Sequence, residues 1–229
     1  LENRRSAMKV GTDGVLLGAW AELPAAIAAP AVLDIGAGTG LVSLMLAQRF
    51  PGARIEAIEL DTASAEECAA NFRNSPWSDR LAVREADFLT AEFGGKFDLI
   101  VSNPPFFNNG AKAPDSARMA ARHEDSLPLG SLINRAAELL APGGSIALIV
   151  PADRGADAEY AAELARLTLW RKVTITTVVG KPPRRVLLQF VNAPTVQDLK
   201  QAVSEETLTT REGERTPWHR ELVKDFYIK

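Results

Sequence analysis

The chain has 229 residues, 46% of them hydrophobic and 24% charged, with a formal charge of −3 and a pI of about 5.6. That length and composition fit one large α/β domain over residues 1–229, and the slight negative charge means that any nucleic-acid partner must be met by a local basic patch. A lone cysteine, Cys68, excludes an internal disulfide framework, His123 and His219 lack zinc-binding spacing, and no apolar run approaches the roughly eighteen residues that cross a membrane, so a cytoplasmic, metal-free protein is expected; the sequence leaves the oligomeric state open, with a monomer favoured.

Residues 11–22 carry Val15, Leu16, Ala19 and Trp20 on a helical period, behind Thr12-Asp13, a pair suited to capping the helix. Ala31-Val32-Leu33 is a continuous apolar run ended by glycines, as in a strand buried on both faces. A helix is expected over 41–49, a strand over 54–60, a helix over 62–72, and strands over 81–84 and 97–101, the last running straight into Asn103. Residues 108–123 mix Gly, Pro, Asn and Arg without period and read as a long mobile loop. A helix over 129–140 should stop at Pro142-Gly143-Gly144, followed by a strand over 145–150, a helix over 156–167 and strands over 170–179 and 185–191. The polar extension 195–229 should hold a short strand near 206–210 and a helix after Pro217. Alternating strands and helices predict a doubly wound, mostly parallel α/β sheet, and the closing strand pair around Gly180-Lys181-Pro182-Pro183-Arg184 predicts an antiparallel hairpin at one edge.

In such sheets ligands bind beyond the carboxyl ends of the strands. There the sequence reads Asp34-Ile35-Gly36-Ala37-Gly38-Thr39-Gly40, a turn in which Gly36, Gly38 and Gly40 let a ligand approach the backbone. A nicotinamide fingerprint would need glycine at the position of Leu41, so that reading loses ground. Glu59, ending the next strand, is placed to accept from both hydroxyls of a ribose, because a carboxylate is an acceptor-only group. Asp87-Phe88 offers an acceptor for an adenine amine and a ring to lie against it. In these residues the chain resembles the class I S-adenosylmethionine-dependent methyltransferases, whose fold is a Rossmann-like doubly wound sheet. The likeness implies that Asp34 and the glycine turn sit under the cofactor's methionine part, with Glu59 at the ribose and Asp87 and Phe88 at the adenine.

The second motif is Asn103-Pro104-Pro105-Phe106. The Asn103 side-chain oxygen and the Pro104 carbonyl form a pair of acceptors for the two N–H bonds of a planar amine, and Phe106 supplies a ring to stack on a base. That is the equipment for methyl transfer to nitrogen. The same clamp resembles those of enzymes acting on adenine in DNA, on bases in RNA and on the glutamine amide of release factors, so it defines chemistry and leaves the partner open. The glutamine N5-methyltransferases carry a helical N-terminal recognition domain for which this chain has no room, and an rRNA base remains a further alternative.

The stretches 7–20, 102–107 and 221–227 are similar to those of the bacterial tRNA1(Val) adenine N6-methyltransferases, a resemblance spanning nearly the whole chain. It implies tRNA as partner and an adenosine beside the anticodon as target. It also implies a cofactor-covering helical segment over 1–30, with Lys9, Thr12 and Asp13 near the methionine end of the cofactor. Members of that family carry an aromatic- and lysine-rich segment upstream of what is here Leu1, so an RNA-contacting piece is expected to be missing, and many have tyrosine where this chain has Phe106. The basic residues expected to meet RNA phosphates are Arg118 and Arg122 in the loop and Lys181, Arg184 and Arg185 at the hairpin, whose two prolines stiffen the turn.

Overall fold

A computed structural model describes residues 11–105, 128–192 and 200–226. Its strands are β1 (Ala31–Ile35), β2 (Arg54–Glu59), β3 (Leu81–Glu85), β4 (Phe97–Ser102), β5 (Leu140–Pro151), β6 (Leu167–Val178), β7 (Arg185–Asn192) and β8 (Ala202–Thr209). Its helices are α1 (Thr12–Trp20), α2 (Leu41–Arg49), α3 (Thr62–Arg73), α4 (Leu129–Leu139), α5 (Gly155–Leu164) and α6 (Pro217–Val223). The strands form one eight-stranded sheet in the order β3-β2-β1-β4-β5-β7-β6-β8. Only β7 runs against the rest, pairing antiparallel with β5 and β6. The order reverses after β1, where a doubly wound sheet opens its ligand crevice.

Period-two alternation divides the central strands between two apolar layers. Val32, Leu99, Val101, Ala147 and Ile149 pack under α1, α2 and α3, whereas Leu33, Ile100, Ile146, Leu148 and Val150 pack under α4 and α5. Helix α4 shows how the sequence directs this: Leu129, Leu132, Ile133, Ala136 and Leu139 recur at helical spacing and are the buried face. Helix α3 begins at Asp61, whose carboxylate accepts from the backbone N–H of Ser64 at 2.8 Å, a cap worth about 1 kcal/mol.

Several expected boundaries shift. The β6–β7 hairpin is not the edge of the sheet, because β8 continues it beyond β6, parallel and longer than the short strand expected near 206–210. Thr12-Asp13 do not cap α1; the cap position is Gly11, without a side-chain bond, and Thr12 and Asp13 are the first helical residues. Helix α4 ends at Leu139 because Leu140 pairs with Phe97, and the Pro-Gly-Gly stop becomes an irregularity inside β5, with Gly143 at φ 77°. Helix α5 ends at Leu164 rather than 167, since Arg166 adopts φ 60° and lets Leu167 open β6.

Candidate functional site

The crevice is built from the carboxyl end of β1. Ile35 hands the chain to a turn in which Gly36, Gly38 and Gly40 have φ of 69°, 55° and 80°, a region that side chains rarely adopt. The amides of Gly36 and Ala37 donate to the Ile58 carbonyl at 2.8 and 3.3 Å, and that of Gly38 donates to Glu59 Oε2 at 2.8 Å. A Cβ at Gly36 or Gly38 would meet nothing within 4 Å, whereas one at Gly40 would strike Phe72 at 2.5 Å and Cys68 Sγ at 2.8 Å. Two glycines therefore face open space and the third packs helix against turn. This is a cradle that the backbone of a ligand-binding loop can offer a small molecule.

Asp34 lies beneath the turn at 2% exposure, its Oδ2 accepting from Ser43 N at 3.1 Å and Ser43 Oγ at 2.7 Å. Burial pushes its carboxyl up to about 6 against the opposing hydrogen bonds from Ser43. Its visible task is to tie β1 to the start of α2. Glu59 also has a structural partner on each oxygen, Gly38 N on Oε2 and Asp61 N at 3.0 Å on Oε1. A carboxylate has about four acceptor sites, so both oxygens keep capacity for a diol.

Asp87 is exposed after β3, and its Oδ1 accepts from Leu89 N at 2.9 Å. Phe88 departs from expectation. Its ring is 4% exposed in the core with Ile35 and Ile58, at 6.1 Å from Phe93 and tilted by 57°, where an open ring was expected. The open apolar side chain is Leu60, 59% exposed directly after Glu59, which the sequence reading passed over. An apolar residue between two acidic ones at a strand end was the available signal.

The second motif arrives by strand register. Ile35 pairs with Ser102, and the buried Ser102 Oγ donates to the Ile35 carbonyl at 2.8 Å. The next residues, Gly36 and Asn103, thus leave neighbouring strands side by side, about 5 Å apart by strand spacing. Asn103 is half-buried, Pro104 buried and Pro105 exposed. Phe106, Lys9, Arg118 and Arg122 lie outside the described residues.

Among the expected phosphate contacts, Lys181 and Arg184 are exposed on the β6–β7 turn. Arg185 is not free: its Nε donates to Asp13 Oδ2 at 2.7 Å and its Nη1 to the Arg184 carbonyl at 3.0 Å. Arg211, which the sequence reading missed, lies with its guanidinium 3.3 Å from the Cβ position of Gly180. Because β6 and β8 run parallel to β4 and β5, this basic turn shares the carboxyl end of the sheet with Asn103. Among the described residues no group of three or more His, Cys, Asp or Glu converges to hold a metal ion, and no helix is long and apolar enough to cross a membrane.

Comparison with known proteins now gives the class. The architecture is similar to that of a predicted O-methyltransferase from Agrobacterium tumefaciens, with a TM-score of 0.67, 19% identity and coverage of 93% of this chain and 96% of that one. It is also similar to a putative class I S-adenosylmethionine-dependent methyltransferase from Listeria monocytogenes, with a TM-score of 0.61, 14% identity and coverage of 85% and 62%. The family model for the methyltransferase small domain matches residues 15–174. A tRNA1(Val) (adenine(37)-N6)-methyltransferase of Porphyromonas gingivalis is 46% identical over 227 residues, covering 96% of this chain and 89% of that protein. The chain belongs to the methyltransferase small domain family, in the branch of the tRNA1(Val) (adenine(37)-N6)-methyltransferases. It is an S-adenosylmethionine-dependent methyltransferase.

Proposed function

We propose that the chain methylates the exocyclic N6 of an adenine in tRNA, beside the anticodon. The observation that carries this reading is the pairing of Ile35 with Ser102, which sets the glycine cradle and the Asn103-Pro104 acceptors on adjoining strands. The cradle fits the donor: Gly36 and Gly38 leave open space at positive φ, and Glu59 and Asp87 stand at the ends of the next two strands. When bound, S-adenosylmethionine supplies an electrophilic methyl carbon. Glu59 would receive the ribose hydroxyls and Asp87 the adenine amine of the cofactor, with Leu60 the apolar side chain available to that ring and Thr12 to the methionine end.

The target amine is a poor nucleophile because its lone pair is delocalised into the base. Asn103 Oδ1 and the Pro104 carbonyl accept its two N–H bonds and draw the nitrogen toward a pyramidal shape, in which the lone pair is directed at the crevice. These acceptors are fixed before reaction, so they stabilise the positive charge growing on nitrogen without reorganising. Proline's locked φ keeps the carbonyl in place. The proton leaves after transfer, so no strong base is required, and most of the acceleration is alignment. To Phe106, which follows Pro105 in the sequence, we assign the stacking on the base. Lys181, Arg184 and Arg211 hold the RNA backbone, a task the sequence also offers to Arg118 and Arg122.

Replacing Asn103 by Ala tests the clamp. Removing one preorganised electrostatic partner is expected to lower kcat by about 100-fold, while S-adenosylhomocysteine binds as before by calorimetry. Unchanged turnover would remove Asn103 from the chemistry.

A further inference from the structure

We infer that Arg185 is a positioning residue for the cofactor crevice: it holds Asp13, and through it the first turn of α1, across the carboxyl end of the sheet. The inference rests on reading that crevice as the methyl-donor site. It assigns to Arg185 a task other than the phosphate contact its place in a basic turn suggests.

The ion pair joins residues 172 positions apart. Its Arg185 side is rigid, because Arg185 opens β7, pairs with Pro151 at the end of β5 and with Ile175 of β6, and donates a second bond to the Arg184 carbonyl. Its Asp13 side is the first turn of α1, a helix whose cap position, Gly11, makes no side-chain bond. One residue on, a Cβ at Gly14 would lie 3.2 Å from Leu41 Cδ2, so the same turn also rests on the first residue of α2, next to Gly40. The start of α1 therefore spans from the glycine turn after β1 to the start of β7. In the sheet order β1-β4-β5-β7 that is three strand spacings, about 14 Å, and the strand inside the span next to β1 is β4, which Asn103 follows. The first turn of α1 is thus held at the carboxyl end of the sheet, beside the cradle, and Arg185 anchors its far side.

A half-exposed ion pair adds little to global stability. Its side chains here are 37% and 29% exposed, so loss of the pair should show in the crevice and not in the melting temperature. The test compares Arg185→Ala, Arg185→Lys, Asp13→Asn and the double variant Asp13→Asn/Arg185→Ala. S-adenosylhomocysteine affinity is measured by calorimetry without RNA, tRNA affinity by filter binding over a salt series, and folding by thermal melting. The expected result is a roughly tenfold weaker cofactor affinity for Arg185→Ala and Asp13→Asn, no further loss in the double variant, and partial recovery with Arg185→Lys. The tRNA affinity and its salt slope should not move. Unchanged cofactor binding overturns the inference, as does weaker tRNA binding with a salt slope reduced by about one, the mark of a phosphate contact. Should Arg185→Ala fail to fold, Asp13→Asn and Arg185→Lys still decide it. Wild-type protein that binds no S-adenosylhomocysteine would instead defeat the reading of the crevice itself.

Discussion

Asp34 is held in a place that disfavours its charge. Its two bonds from Ser43 converge on one oxygen, and burial nevertheless keeps its carboxyl at about 6. In the unfolded chain it ionises near the usual carboxylate range, so between roughly pH 4 and pH 6 the folded state holds a proton that the unfolded state has released. Stability therefore falls as pH rises through that window, by about 3 kcal/mol from this group when complete above pH 6. Asp34→Asn keeps one oxygen for both Ser43 donors and removes the ionisation. Urea unfolding at about pH 4.5 and 7.5 should show a drop in wild type that the variant lacks; equal drops would mean that Asp34 ionises freely in the fold. The glycines make a second residue-scale contrast. Gly40→Ala combines a φ of 80° with a 2.5 Å clash on Phe72, and should cost roughly 2–5 kcal/mol in stability. Gly38→Ala meets no atom and should cost only about 1–2 kcal/mol, yet lose cofactor affinity because its methyl enters the cradle. Melting and calorimetry on the pair separate packing from binding, and equal melting losses would contradict the assignment.

At the scale of elements, the C-terminal piece supports the N-terminal one. Val223 of α6, 1% exposed, packs with Val15, Ala19 and Met45 of α1 and α2, while Thr216 caps α6 and His219 Nδ1 lies 3.1 Å from the Leu208 carbonyl of β8. Val223→Ala should lower stability by about 2 kcal/mol by denaturant unfolding; a negligible loss would show that α6 does not brace α1. This coupling explains which parts of the molecule were legible in the sequence. Strands β1 and β4 were readable because apolar runs ended by turn residues are local signals. The glycine turn and Asn103-Pro104 were readable because each is a short motif at a strand end. Register joined the two, and no periodicity carries register between strands so far apart in the chain. The same holds for Asp13 with Arg185. Phe88 makes a related case: its position after a strand suggested a ligand face, and its packing against Phe93 is a tertiary contact that no local pattern announces. The ends of α4 and α5 moved because pairing of Leu140 and Leu167 outweighed helical pattern.

Over the whole molecule, a chain with formal charge −3 meets a polyanion by arranging charge, not by accumulating it. Lys181, Arg184 and Arg211 stand on the turns that close β6 and β8, at the same end of the sheet as the crevice. Removing them one at a time should weaken tRNA binding and lower its salt slope by about one each, with cofactor affinity unchanged. A slope that does not respond would place the RNA elsewhere. The central claim is that one crevice brings the donor methyl to an adenine N6. The most direct test is to incubate the protein with methyl-labelled S-adenosylmethionine and tRNA, digest to nucleosides and identify the labelled product by mass spectrometry. The account predicts label in N6-methyladenosine, recovered from an anticodon-loop fragment, at an initial rate about 100-fold lower with Asn103→Ala. Label in another nucleoside, or in protein and not in RNA, would contradict it.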